Sequence, residues 1–360
     1  MAVEPLTLLR ELVEIESPTY SAGVRRVAAR MADELEGLGS ANVRILEGDH
    51  VVADLDGRGE PLLLLGHTDT VWEEGTLATM PFRVEGGLAF GPGVYDMKGC
   101  LVLMLEAIRR SGAGRRALRV FLTADEEHGS RTARQDMTEA AKGVVAALVV
   151  EPPTNRGHLK TSRKGLGRFH VAITGRPAHA GTSLLDGASA IEELAHQILR
   201  LHRLTDQDRG VSVNVGVVHG GTRENVVAAY ADARLDVRVS QRADLERLEH
   251  VLRSLEPTVP GTSIEVDGEW TRPPLERTEG SARLFARARE IGLGLGLDLR
   301  EASSGGGSDG NLVGALGIPV LDGLGAEGKG AHAHDEQIRL DALPVRAKLL
   351  AGLLEDPGLE

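Results

Sequence analysis

The chain has 360 residues, enough for two domains rather than one ordinary core. It is 41% hydrophobic and 26% charged, the balance of a soluble globular protein. A formal charge of −12 argues against nucleic acid or anionic membrane as the main partner, and aromatic residues at 3% offer little for base stacking.

The first stretch, "MAVEPLTLLRELVEIESPT", spaces its apolar residues as an amphipathic helix ending near Ser17-Pro18. Acids interrupt it and no basic-then-apolar leader precedes it, so it does not read as a signal peptide. No run of eighteen apolar residues occurs anywhere, which predicts no membrane span and a cytoplasmic protein. A helix near 20–39 precedes the strands "NVRIL", "HVVADL" and "PLLLLGH". The helix "MKGCLVLMLEAIRRSG" leads into "LRVFLTA", and after a further helix comes "GVVAALVVE". Continuous apolar strands alternating with helices predict an α/β sheet covered on both faces. Cys100, the one cysteine, lies in an apolar helical run, so it reads as a buried thiol and no internal disulfide can form.

From about residue 167 the texture changes to strict alternation, in "GRFHVAITG", "GVSVNVGVVHGG" and "AARLDVRVS". Two helical segments, "GASAIEELAHQILRLHRL" and "RADLERLEHVLRSL", punctuate these strands, and "TSIEVDGEW" closes the set. The order strand, helix, two strands, helix, strand predicts a ferredoxin-like α+β unit. After "TRPPLERT" the α/β texture returns with "SARLFARAREIGL", the glycine-rich "EASSGGGSDG", "IPVLDGLG" and a last helix. The expected architecture is a discontinuous α/β domain with a mixed sheet (1–166 and 272–360) into which the α+β domain (167–271) is inserted.

Metal-capable side chains gather where the α/β strands stop. "LLLLGHTDT" delivers His67 and Asp69, "GPGVYDMKG" delivers Asp96, "LRVFLTADEE" delivers Asp125, Glu126 and Glu127, and "VVAALVVE" delivers Glu151. "GAHAHDEQI" adds His332 and His334 after the late strand. Taken singly, each has an ordinary reading: a hydrogen-bonded histidine, a helix cap, a strand terminator. Together they occupy the ends of several strands, where open α/β sheets bind ligands. Nitrogen and carboxylate donors without thiolates suit zinc or a similar divalent ion in a catalytic site. Carboxylates clustered without a cation would repel one another. With two ions about 3.5–4 Å apart, one carboxylate must bridge them and another is left to act as base. Adjacent residues of extended chain point opposite ways, so of Glu126 and Glu127 one can bind metal while the other faces the attacking water.

"GHTDTV", "YDMKG", "TADEEHGS", "VVEPP", "GRPAHAG", "GGGSDG" and "GAHAHDEQI" follow the order found in the di-zinc aminoacylase/glutamate-carboxypeptidase metallopeptidase family. The chain resembles that family over nearly its whole length, and most closely its glutamate carboxypeptidase branch. The resemblance implies two zinc ions, with cobalt or manganese as alternatives. His67 would bind one ion, Asp96 would bridge both, and Glu127 and Glu151 would complete one site each. The family's spacing of a His four residues before a Glu selects His332, with Glu336, as the last ligand, and His334 is the alternative. Asp69 would orient His67, Glu126 would be the general base, and a cis peptide is expected after Asp96.

The inserted domain would be the dimerisation domain of a homodimer. His179 would reach the partner's active site and donate to the oxyanion, Asn225 would face the substrate, and Arg238 would grip its carboxylate. The run "SSGGGSDG" offers at Gly306 and Gly307 either a backbone nest for that carboxylate or a flexible turn. The implied reaction is hydrolysis of an amide beside a free carboxylate in a peptide or N-acyl amino acid. A carboxypeptidase releasing a Glu-like residue, an N-acyl-amino-acid deacylase or dipeptidase, and a non-catalytic metal-binding protein are the readings in play.

Overall fold

Leu62, Leu63, Leu64 and Leu65 are all fully buried in the strand Arg58–His67. Successive strand side chains point to opposite faces, so both faces of their sheet are covered. The computed structural model describes residues 4–112 and 114–359. Its largest sheet runs in the order Asn42–Ile45, Val51–Leu55, Arg116–Thr123, Arg58–His67, Ala146–Val149, Val320–Leu321. The first two strands join antiparallel and the rest are parallel, the mixed sheet expected. Helix Gly99–Arg110 packs on the strand Arg58–His67 and on the helices Pro5–Glu14 and Leu343–Glu355. The N-terminal helix stops at Glu14, before the predicted Ser17-Pro18. The chain turns extended there because Glu16 accepts hydrogen bonds from Gly75 N and Leu77 N, each at 2.8 Å, and Ser17 O accepts from Thr70 N.

The parallel strands bring their carboxyl ends level. His67 pairs in register with Thr123, and Leu65 with Val149, so His67, the segment after Thr123 and Glu151 emerge side by side. Asp96 arrives on the irregular turn Val94–Lys98 that opens the helix Gly99–Arg110.

The described chain divides into two compact units. One contains everything up to Thr161, Arg277–Ser303 and the chain from Ser308 onwards; the other is Ser162–Glu276 with Ser304–Gly307. The short excursion 304–307 belongs to the second unit because Arg163 Nη1 donates to the carbonyls of Gly306 and Gly307, and Lys164 N donates to Ser304 O. Within this unit the strands run Ser212–Gly220, Tyr230–Val239, Gly165–Thr174, Ser263–Arg272, all antiparallel. Phe169, Val171, Ile173, Ala231, Ala233, Leu235 and Val237 form one face of that sheet, buried with Leu194, Leu201, Leu248 and Leu252 of the helices Ala190–His202 and Arg242–Arg253. Element order and pairing are those of a ferredoxin-like unit, as the alternation predicted.

Candidate active site

His67, Asp96 and Glu151 each offer one ligand atom within 4.8 Å of the others, and Asp96, Glu127 and His332 form a second such group. Asp96 belongs to both, and it divides its oxygens between them. Its Oδ1 lies 3.1 Å from His67 Nε2, and its Oδ2 lies 3.5 Å from His332 Nε2. His67 Nε2 also stands 3.6 Å from Glu151 Oε1, and His332 Nε2 stands 3.4 Å from Glu127 Oε2. The turn that presents Asp96 contains a cis Asp96–Met97 peptide, as expected. His332 takes a left-handed conformation, φ 61°, which directs its ring back toward this cluster although the residue is exposed.

The donor set fits a pair of divalent cations. Nδ1 of the buried His67 lies 3.0 Å from the Asp69 carbonyl, which can only accept, so Nδ1 carries the proton. In the neutral ring the Nε2 lone pair then faces the oxygens of Asp96 and Glu151, an arrangement that needs a positive charge between them. Burial by itself lowers the His67 pKa, but the bonds to Asp69 and Asp96 outweigh it and hold it well above the usual range. Hydrogen bonds to Asp96 and Glu127 raise His332 likewise. In both rings the added proton stands where a cation would sit. Burial pushes Glu127 up, with Asp96 adding to the effect, and its Oε1 is buried without a hydrogen-bond partner. A tetrahedral shell with bonds of about 2.0–2.1 Å has edges of about 3.3–3.4 Å, the scale of the separations seen among these atoms. Cys100 contributes no ligand: its buried thiol accepts from Ala326 N and donates to Tyr95 O.

Glu126 and Glu127 diverge, though not as neighbours on extended chain. They occupy the 3₁₀ turn Glu126–His128, where consecutive side chains are about 120° apart. Glu127 joins the second ligand group and Glu126 joins neither. Asp69 has a wider part than orienting His67. It accepts from Glu126 N and Glu127 N at 3.2 Å each and from Thr19 Oγ1 at 2.7 Å. Asp125 also holds this loop: its Oδ2 accepts from Thr132 N and Oγ1, and Thr132 Oγ1 lies 3.2 Å from Nε2 of the buried His50. Nothing in the sequence marks Thr19, His50 or Thr132, since each is an isolated polar residue brought in by tertiary contact. His334 packs at 5.5 Å against the Trp72 ring and belongs to neither ligand group.

In the second unit, His179 is exposed and its Nδ1 accepts from the amides of Gly181 and Thr182. Bonds from Ala180 N to Asn225 O and from Val227 N to Ala178 O bring His179 and Asn225 onto one local ladder. The Arg238 guanidinium engages both oxygens of Asp236, at 2.8 and 3.2 Å, and donates to Gly305 O. At Gly306 and Gly307, where the sequence left a nest or a flexible turn open, neither glycine is left-handed, and the Gly306 amide donates to Ser304 Oγ at 3.2 Å.

The sequence model of Peptidase family M20/M25/M40 matches residues 63–356, a span that includes both ligand groups. Carboxypeptidase G2 of Pseudomonas sp. (strain RS-16) is 32% identical over 97% of this chain and 88% of its own. Aminoacylase-1 of Sus scrofa is 26% identical over 98% and 96%, respectively. Among solved structures, aminopeptidase PepT from Bacillus cereus ATCC 10987 has a TM-score of 0.82 at 20% identity, covering 98% of each chain. The M20 family metallo-carboxypeptidase Sso-CP2 from Sulfolobus solfataricus gives 0.73 at 17% identity over 100% of each. At such identities the structural likeness speaks for the fold.

Proposed function

The chain belongs to peptidase family M20/M25/M40 and is a metal-dependent amide hydrolase, and from that premise we propose a carboxypeptidase that releases a Glu-like C-terminal residue. The observation that carries the chemistry is the shared carboxylate of Asp96 between two ligand groups. The substrate class draws its support from the 32% identity to carboxypeptidase G2 over nearly the whole chain. Deacylation of N-acyl amino acids, or dipeptide cleavage, is the second reading, favoured by the likeness to aminoacylase-1. A substrate panel of N-acyl-glutamates, N-acetyl amino acids and dipeptides separates them. Turnover confined to N-acetyl amino acids would overturn the carboxypeptidase assignment.

On this reading His67, Asp96 and Glu151 hold one ion and Asp96, Glu127 and His332 the other, with zinc as the resident metal and cobalt or manganese able to replace it. Bound in this way, the ions supply Lewis acidity and bring a water's pKa down to about 7. Glu126 takes the proton of the attacking water and returns it to the leaving amine. Asp69 keeps His67 in the tautomer that leaves Nε2 free for metal and holds the amides of both glutamates. Arg238 grips the substrate carboxylate by exchanging its present partner Asp236 for it, and Asn225 faces the substrate. Glu126→Gln should retain both metals and lose at least about 10²-fold in kcat. Loss of a metal from that variant would exchange the roles of Glu126 and Glu127.

The protein is proposed to act in the cytoplasm as a homodimer, with His179 of one protomer donating to the oxyanion at its partner's site. A second copy would cover Ile191 and Leu199, exposed on the helix Ala190–His202, and Val217 and Val218, exposed on the edge strand Ser212–Gly220.

A further inference from the structure

One buried carboxylate connects the two chain segments that carry Asp96 and His332, and it lies in neither ligand group. Glu336 is fully buried and accepts four hydrogen bonds. Its Oε2 takes Trp72 Nε1 at 2.7 Å and Gly93 N at 2.9 Å; its Oε1 takes Tyr95 N at 2.9 Å and Asp96 N at 3.0 Å. The three amides are those of the turn that presents Asp96. On its own side, Glu336 N donates to Ala333 O at 2.9 Å and Ala333 N to Gly330 O at 2.8 Å, so a short bonded turn separates Glu336 from His332.

The chemistry demands a carboxylate. All four partners are N–H donors, and an ionised Glu is acceptor-only, whereas Gln has one acceptor oxygen and an NH₂ that would face two of those donors. The turn has little freedom to rearrange. Gly93 sits at φ 71°, and a Cβ there would lie 2.5 Å from Thr70 Cγ2.

We propose that Glu336 is a positioning residue that sets the spacing between Asp96 and His332 and thereby the affinity for the second ion. The proposal rests on the reading of these groups as a metal centre. Trp72 reports on it, because its indole N–H is bonded to the same carboxylate.

The test titrates metal-stripped, full-length protein with Co²⁺, following the visible d–d band. In parallel, the emission of Trp72 is read in a Trp270→Phe background, which leaves Trp72 as the single tryptophan of the two. Glu336→Gln should bind one of the two ions about 10–100-fold less tightly, with an altered band and a shifted Trp72 emission. Wild-type affinity, stoichiometry and band in that variant would overturn the proposal. If Glu336→Gln fails to fold by circular dichroism, Trp72→Phe removes one donor and keeps the three amides. There, weakening of several-fold supports the proposal and unchanged Co²⁺ affinity overturns it. A wild-type protein that binds no Co²⁺ refutes the metal-centre reading itself.

Discussion

Asp69 is almost fully buried, and its oxygens meet Thr19 Oγ1, two backbone amides and, at 3.4 Å, His67 Nδ1. The amides belong to Glu126 and Glu127, so one side chain braces both a histidine and the loop of the general base. Asp69→Asn would turn an NH₂ toward an N–H donor and loosen that loop. We expect kcat to fall about 10–100-fold, beyond what a destabilisation of about 1–3 kcal/mol from the mismatched buried donors accounts for. Steady-state kinetics beside a melting curve checks this, and an unchanged kcat would mean the loop is held elsewhere. Asp69 was legible in the sequence as a neighbour of His67, but its reach to residues 126 and 127 was not. Period and spacing carry no information about which distant amides a carboxylate will meet. Asp125 is similar: its partner Thr132 lies beyond a glycine turn and attracts no notice in the sequence.

At the scale of elements, the apolar periodicities predicted helices and strands well because each rests on local sterics and burial. Where side-chain bonds compete with the helix, as at Glu16, the boundary moved. The second unit has its own tertiary clasp. Glu193, buried in the first turn of the helix Ala190–His202, accepts from Gln197 Nε2 at 2.6 Å, Val259 N at 2.6 Å and Thr258 N at 2.7 Å. Burial alone would raise its pKa, but these bonds and one from Thr262 outweigh that and lower it below the ordinary glutamate value of 4.5. A depressed folded-state pKa contributes stability that is present above the unfolded value and is lost as pH falls through the folded one. Glu193→Gln should therefore cost about 1–3 kcal/mol at pH 7. The gap to wild type should narrow as the pH drops below 4.5. Urea unfolding of both proteins at neutral and acid pH measures it, and a gap independent of pH would rule the charge out as the cause.

For the whole molecule, the proposed reach of His179 into a partner's site makes a distinctive demand. His179→Ala should lose about 10²–10³ in rate, the usual cost of one oxyanion donor, while keeping its metal. Mixed with Glu126→Gln under conditions that let protomers exchange, it should regain activity. The hybrid dimer pairs an intact Glu126 on one protomer with an intact His179 on the other. No recovery on mixing, with hybrids present by native mass spectrometry, would refute the cross-subunit arrangement.

The sequence by itself determined which residues could serve and in what order they come. The apolar runs end at His67, before Glu126 and Glu127, and at Glu151, and the motif order was enough to point to the family. Those features are local, written in residue chemistry and in the two backbone periods. The family resemblance had already picked Asp96, Glu127 and His332 from these candidates, and the tertiary structure decided the geometry in which they meet. Asp96 splits its oxygens between His67 and His332, Glu127 rather than Glu126 enters the cluster, His332 rather than His334 turns toward it, and Arg238 is paired with Asp236. Each of these depends on the direction of a side chain at a turn. That direction follows from irregular backbone angles and from bonds such as Asp96 N to Glu336, made between residues far apart in the chain.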